Sequence, residues 1–337
     1  MSSSPLVRLR DVSVSYPSRH GDVLAVDTVN LDVARGSTVG LVGESGSGKS
    51  SLGNTIVGLV PVAAGSIEFD GEDITRTSHA QRRQLARRIQ VIFQDPFGSM
   101  NPTRTVGDTI GEALRYNLGL DSAAIRTRVH AALADVGMTE SVLTRYPSQF
   151  SGGQRQRIAI ARAIAVEPDF IVCDEPVSAL DLSVQAQVLN VLATLRARRQ
   201  LSYLFVSHDL SVVRYLSDEI VVMFAGRIVE RGAAEVVADT PRHPYTRALV
   251  ESAPVPDPAE QARRRARRKR LSAATAGASS SAGCAFAHRC PFAVDRCRVE
   301  RPELREHRDV VVACHRAEEI DDLDIRQLSS STPGATT

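Results

Sequence analysis

The sequence predicts an α/β fold built around a parallel sheet, and three observations support this prediction. A short apolar strand at residues 38–42 runs into a glycine-rich loop, and helical spacing follows at residues 49–59. Between residues 154 and 206, helical segments alternate with continuous apolar runs of the kind found in buried parallel strands. Four of the five cysteines lie after residue 283, which predicts a small additional module at the C-terminal end.

The composition is consistent with one large domain and one small domain. The chain has 337 residues, of which 43% are hydrophobic, and this is enough to bury a full α/β core. The 41 Lys and Arg residues nearly balance the 39 Asp and Glu residues, so the net charge of +2 gives no general attraction to nucleic acid. The sequence contains no apolar run of signal-peptide or membrane-spanning length, and we therefore expect a cytoplasmic chain.

The large domain is predicted at residues 5–253, with a helical subdomain inserted at about residues 95–167. Period-two alternation predicts its strands, and apolar residues three or four apart predict its helices. In order, we expect an antiparallel hairpin (6–16 and 23–33), a strand and helix around the loop (38–42 and 49–59), a strand (89–93), helices (105–116, 122–136 and 154–166), a strand (169–173), a helix (183–198), a strand (201–206) and a hairpin (221–224 and 227–230).

The amino-acid composition of the chain changes after residue 253. Residues 254–283 combine prolines, a basic run and an Ala/Ser/Gly tract, which predicts a flexible basic linker. Seven of the eight residues at 263–270 are basic; a solvated linker is one interpretation, and contact with anionic lipid headgroups is the other. The cysteine module follows at residues 284–316, and the acidic, polar residues 317–337 predict a disordered tail.

The glycine-rich loop at residues 43–50 predicts a phosphate-binding loop (P-loop). Its glycines allow backbone N–H groups to turn toward phosphate oxygens at the positive end of the next helix. Lys49 supplies a charge for the β and γ phosphates, and Ser50 supplies a hydroxyl ligand for Mg²⁺. An ordinary glycine turn is the alternative. The predicted nucleotide contacts here are Gly43, Glu44, Ser45, Gly46, Ser47, Gly48, Lys49, Ser50 and Ser51.

Polar residues at the ends of other predicted strands suggest the rest of the site. Asp174 ends an apolar strand and can hold Mg²⁺ through water, while Glu175 can orient or deprotonate an attacking water. His208 and Gln94 also end apolar strands, and could contact the γ-phosphate, the water or Mg²⁺. Tyr16 could stack on an adenine ring. The alternatives are a solvated acidic turn, a core or helix-capping histidine, and a half-buried strand tyrosine.

A second glycine-rich segment, Ser151, Gly152, Gly153 and Gln154, lies about a hundred residues after the P-loop. It suggests another set of donors, suited to the opposite side of the nucleotide. One chain would then not complete its own ATP site, so we expect a dimer that nucleotide closes.

These motifs, in this order, resemble the ATP-binding subunits of ABC transporters over about residues 6–232. The resemblance identifies a Walker A loop (43–50), a Q-loop residue (Gln94), a signature (151–154), a Walker B strand (170–174), a D-loop ending in Asp181 and a switch histidine (His208). It implies that Asp181 belongs to the nucleotide site, that Glu175 is the catalytic carboxylate and that Tyr16 stacks on adenine. Phe150 stands where the family more often has leucine.

Residues 94–102, residues 243–249 and the cysteine module resemble more specifically the ATPases of dipeptide and oligopeptide importers, F-type member. This resemblance implies a second, related ATPase, two membrane permeases, an external solute-binding protein and a position at the cytoplasmic face of the membrane. It also implies that the segment after Gln94 receives a permease helix. Nickel and glutathione importers are similar, and a soluble ABC ATPase acting on nucleic acid or ribosomes is a rival from another class.

The C-terminal cysteines Cys284, Cys290, Cys297 and Cys314 suggest a metal site, because clustered thiols in a reducing compartment favour metal over disulfide. Their spacing, C-x₅-C-x₆-C-x₁₆-C, does not by itself select zinc, a [4Fe–4S] cluster or free thiols. Residues 283–293 resemble the C-terminal module of peptide-importer ATPases, and this resemblance implies a [4Fe–4S] cluster.

Overall fold

A computed structural model describes residues 4–19, 21–96, 98–252, 257 and 282–322, except for the side chains of residues 321 and 322. The strands are β1 (Val7–Tyr16), β2 (Val23–Val33), β3 (Thr38–Val42), β4 (Ala64–Phe69), β5 (Glu72–Asp73), β6 (Ile89–Ile92), β7 (Phe170–Asp174), β8 (Ser202–Ser207), β9 (Glu219–Phe224), β10 (Arg227–Ala233), β11 (Arg305–His307) and β12 (Val310–Val312). The helices are α1 (Lys49–Ile56), α2 (His79–Arg88), α3 (Val106–Leu118), α4 (Ser122–Asp135), α5 (Gly152–Ile164), α6 (Leu182–Arg199), α7 (Leu210–Leu216), α8 (Ala234–Asp239), α9 (Pro244–Ser252), α10 (Asp295–Val299) and α11 (Ala317–Asp322).

The larger sheet has the strand order β11-β12-β10-β9-β3-β8-β7-β6. Its strands from β9 to β6 pair in parallel, as the alternation of helices and buried strands predicted. Strands β3 and β8 are buried along their whole length, because helices or the second sheet cover both faces. The carboxyl ends of β3, β7 and β8 therefore meet at one edge of the sheet.

The smaller sheet is antiparallel and has the order β2-β1-β4-β5. The predicted hairpin of residues 6–33 forms β1 and β2, whereas β4, β5 and helix α2 were not predicted. Helix α1 lies between the sheets: its Leu52 and Ile56 pack in one hydrophobic cluster with Val14 of β1 and Val206 of β8. This packing fixes the helix that follows the P-loop.

The helical region after β6 contains α3, α4 and α5, which confirms the helices predicted there. Thr105 caps α3 and Asp121 caps α4, each accepting a hydrogen bond from a backbone N–H of the first turn. Ile110, Val129 and Ile158, one from each helix, lie in the core cluster that continues into the larger sheet.

The cysteine module is continuous with the larger sheet. Its strand β12 pairs antiparallel with β10, placing Val312 opposite Glu230, and β11 adds the last strand. The tail prediction was wrong at its start, because Ala317 and Ile320 are fully buried on helix α11 and anchor it to the core. Residues 254–256 and 258–281 of the predicted linker and residues 323–337 of the predicted tail lie outside the described residues. None of the helices that the structure describes is both long and apolar enough to cross a membrane.

Candidate nucleotide site

The P-loop connects the end of β3 to α1 in the predicted strand–loop–helix arrangement. Gly48 has a φ of +98°, and a Cβ at this position would lie 2.3 Å from the carbonyl oxygen of Ala25. Only glycine fits there, for both reasons. The Lys49 ammonium, on a residue only 4% exposed, donates hydrogen bonds of 2.8 Å to the carbonyls of Gly43 and Glu44. Burial lowers the pKa of Lys49, while the nearby charges of Glu175 and Asp174 oppose this shift.

The predicted Mg²⁺ ligands from two distant motifs are in contact. Ser50 Oγ donates a hydrogen bond of 2.8 Å to Asp174 Oδ1, which joins the first turn of α1 to the end of β7. Burial raises the pKa of Asp174, and the neighbouring Glu175 carboxylate raises it further, against the hydrogen bond from Ser50. A hydroxyl and a carboxylate so placed are the oxygen ligands that Mg²⁺ prefers.

The three predicted catalytic residues, Glu175, His208 and Gln94, meet at the Glu175 carboxylate. Its Oε2 lies 3.2 Å from His208 Nδ1 and accepts a hydrogen bond of 3.3 Å from Gln94 Nε2. The backbone of Glu175 is left-handed, with a φ of +45°, and its N–H donates to the carbonyl of Val206. This conformation is uncommon for a residue other than glycine. The Glu175 side chain is 16% exposed, so the carboxylate is held in a fixed position but can still reach water.

Ser178 contacts two residues of the site, although the sequence did not predict it as a site residue. Its Oγ accepts a hydrogen bond of 3.3 Å from Gln94 Nε2 and donates one of 3.1 Å to the Glu175 carbonyl. Ser178 thus contacts both the Gln94 side chain, which binds the carboxylate, and the backbone of Glu175 itself. Its position in the predicted D-loop is the sequence signal that could have identified it as a site residue.

Tyr16 lies at the rim of the P-loop. Its hydroxyl donates a hydrogen bond of 3.1 Å to Ser51 Oγ, and the residue is 39% exposed. The aromatic ring is therefore close to the loop and open to solvent, where a nucleotide base could stack on it.

The second glycine-rich segment is separate from the P-loop. Ser151 caps α5, accepting from the Gln154 N–H, while the Gln154 side chain accepts from the Ser151 N–H. Between the residues that the structure describes, no hydrogen bond joins residues 151–154 to residues 43–50. A Cβ on Gly153 would lie 2.1 Å from Val184 Cγ1, so the segment packs closely on α6, which Asp181 caps.

The four C-terminal cysteines line one small cavity, whose walls also include Phe286, Phe292 and His243. Burial raises the pKa of the Cys290 thiol to about 12 and that of the Cys314 thiol to about 11, which favours the protonated form. Throughout the described part of the chain, no group of three or more His, Cys, Asp or Glu side chains is arranged so that it could hold a metal ion. The cysteines therefore converge at one cavity, as expected, without forming such a group.

The fold and the site together define a P-loop ATPase. A family described as "ABC transporter" matches residues 26–178, and a second described as "Oligopeptide/dipeptide transporter, C-terminal region" matches residues 229–297. The chain belongs to the ABC transporter family, as an ATP-binding subunit with ATPase activity. This confirms the family that the motifs indicated.

Individual relatives agree with this assignment. A putative peptide import ATP-binding protein of Brucella ovis is 45% identical over 309 residues, covering 91% of this chain and 96% of that protein. The di/tripeptide transport ATP-binding protein DppF of Pseudomonas aeruginosa is 40% identical, with 95% and 98% covered. Among solved structures, a dimeric ATP-binding cassette bound to ADP and Pi, MJ0796, matches with a TM-score of 0.63 at 27% identity, covering 68% of this chain and 98% of that one.

Proposed function

We propose that this chain powers peptide import as one ATPase of a complex with two permeases, fed by an external solute-binding protein. One observation carries the proposal: residues 229–297 match the C-terminal region of oligopeptide/dipeptide transporters. The names of the relatives, which match over 91% and 95% of this chain, support the same substrate class. The complex would place the chain at the cytoplasmic face of the membrane.

Within the site, we propose that the P-loop residues 43–51 bind the phosphates and that Tyr16 stacks on the adenine. Ser50, Asp174 and Gln94 would hold Mg²⁺, which neutralises charge on the phosphate oxygens when bound. Glu175 would orient and deprotonate the attacking water, with His208 and Gln94 holding its carboxylate in place. The contacts of 3.2 and 3.3 Å at Glu175 Oε2 support these roles.

We also propose that Ser151, Gly152, Gly153 and Gln154 complete the ATP site of a second, related ATPase, with Asp181 near the contact. The support is geometric: Ser151 is exposed, and its segment forms no hydrogen bond to the P-loop of its own chain in the described structure. The dimeric state of the MJ0796 cassette is consistent with such a site.

The segment after Gln94 is proposed to receive a permease helix. Arg162, on α5, donates a hydrogen bond to the Ser99 carbonyl, so this segment rests on the signature helix. Movement at the permease would thereby reach Ser151. Phe97, one of the residues that carried the resemblance, lies outside the described residues.

Reconstitution tests the substrate class. The chain would be purified with any permeases, second ATPase and solute-binding protein that the neighbouring genes prove to encode, and placed in liposomes. We expect di- and tripeptides, delivered by the binding protein, to stimulate ATP hydrolysis and to accumulate. Stimulation by Ni²⁺ or glutathione alone would reassign the substrate, and the absence of permease genes together with ATPase stimulation by RNA would favour the soluble alternative.

The [4Fe–4S] cluster stays a prediction. The meeting of Cys284, Cys290, Cys297 and Cys314 at one cavity supports it, whereas the lack of a metal-holding group among the described residues counts against it. If a cluster binds, protein purified without oxygen should absorb broadly near 400 nm and lose this absorbance in a Cys290→Ala variant. A colourless protein without bound iron or zinc would leave the cysteines as buried thiols.

A further inference from the structure

The cysteine module contacts the P-loop directly, through an ion pair that sequence reasoning did not predict. Arg289, the residue before Cys290, donates two hydrogen bonds to the Glu44 carboxylate, with lengths of 2.8 and 2.7 Å. Glu44 is the second residue of the P-loop. Paired bonds of this kind fix the guanidinium and the carboxylate in one plane, and they are among the stronger surface interactions.

A second contact holds the backbone of the same residue. The Glu44 N–H donates a hydrogen bond of 2.7 Å to the Tyr245 hydroxyl. Tyr245 is fully buried, and its ring lies 4.6 Å from Phe224 at the end of β9 and 5.5 Å from Phe286 of the cysteine module. Arg289 in turn lies over the Phe286 ring at 5.4 Å. The aromatic cluster therefore ties the module, the sheet and the loop together.

Glu44 also connects these contacts to the residue that meets the phosphates. Its carbonyl accepts a hydrogen bond of 2.8 Å from the Lys49 ammonium. Its carboxylate would, without Arg289, be an unpaired negative charge beside Lys49 and beside the binding site of a polyanion. The Arg289 contact lowers the pKa of Glu44, against the opposing effect of burial, so Arg289 favours the ionised carboxylate.

We propose that Arg289 and Tyr245 are positioning residues through which the cysteine module sets the affinity of the P-loop for ATP. Arg289 neutralises Glu44 and keeps its carboxylate away from Lys49 and the phosphates. Tyr245 fixes the backbone of Glu44 at the start of the loop. The proposal rests on ATP binding at the P-loop, and it concerns affinity rather than the hydrolysis step at Glu175.

An Arg289→Gln variant tests the charge contact. We expect the dissociation constant for ATP, measured with Mg²⁺ withheld to prevent hydrolysis, to rise about two- to fivefold. The rise should shrink as salt is added, while kcat at saturating MgATP should stay unchanged. The matched control is Arg296→Gln, because Arg296 forms a similar paired contact with Glu300, of 2.8 and 2.6 Å, within the module. This control should bind ATP as the wild type does.

The double variant Glu44→Gln/Arg289→Gln separates charge neutralisation from general damage to the module. It should bind ATP more tightly than Arg289→Gln alone, because no unpaired carboxylate remains.

Tyr245→Phe keeps the ring packing and removes the acceptor of the Glu44 N–H, and should weaken binding about two- to tenfold. Wild-type affinity in both Arg289→Gln and Tyr245→Phe, or no recovery in the double variant, would overturn the proposal. A wild-type protein that binds no ATP would overturn the nucleotide site itself.

Discussion

A Glu175→Gln variant is expected to lose ATP turnover by a factor of about 10² to 10⁴, the range that general-base catalysis supplies. The amide keeps the shape of the side chain and can still contact Gln94 Nε2 and His208 Nδ1, which now lie 3.3 and 3.2 Å from the carboxylate. It cannot accept a proton from water at neutral pH. ATP affinity should remain close to that of the wild type, because Lys49, Ser50 and the loop are unchanged.

The measurement is phosphate release at saturating MgATP, paired with ATP binding by the same preparation. Glu235→Gln is a suitable control, since Glu235 is an exposed carboxylate on α8 and is not among the residues assigned to the site. This control should hydrolyse ATP normally. Undiminished turnover in Glu175→Gln would refute the assignment of the catalytic base and direct attention to His208.

A Ser151→Asp variant should bind ATP at its own P-loop but fail to form the closed, nucleotide-bound dimer. Asp is as good a helix cap as Ser, so α5 should keep its start and the protein its thermal stability. The new carboxylate would instead face the γ-phosphate held by the partner ATPase. Repulsion there, and loss of the hydroxyl donor, should reduce hydrolysis by the assembled pair by at least about 10²-fold.

Ser78→Asp provides a closely matched control for this experiment. Ser78 caps α2 with the same backbone angles as Ser151, φ −66° and ψ 164°, and with the same reciprocal bonds to a glutamine three residues later. It is exposed and lies outside the nucleotide site. Size-exclusion chromatography with ATP and the second ATPase should detect the dimer with Ser78→Asp and not with Ser151→Asp. Equal dimerisation of the two variants would contradict the proposed half-site.

Much of the site could be predicted from the sequence because each part depends on a short, continuous stretch of residues. Lys49 and Ser50 sit in a continuous loop motif, and Asp174, Glu175, His208 and Gln94 each follow an apolar strand. Parallel strands bring their carboxyl ends to one edge, so residues at those ends meet without further information. The contact between Ser50 and Asp174 is an example, at 2.8 Å across 124 positions of the chain.

Other features had no comparable local signal. Strand β4 joins the small sheet only because it pairs with β1, and the short β12 is a strand only because β10 pairs with it. Helix α11 was predicted as tail because its acidic side chains outnumber its apolar ones. The burial of Ala317 and Ile320 depends on a surface that distant residues build.

The sequence by itself determined the cassette, its phosphate loop, its acidic strand end and its separate signature segment, since these depend on backbone geometry within a few neighbouring residues. The tertiary structure alone decided that the His208 and Gln94 side chains meet at Glu175 Oε2, that the cysteines share a cavity and that Arg289 pairs with Glu44 across 245 positions. The reason is physical. An ion pair or a shared cavity requires only that its residues are close in space, and the periodicity of a sequence does not indicate which distant residues are close.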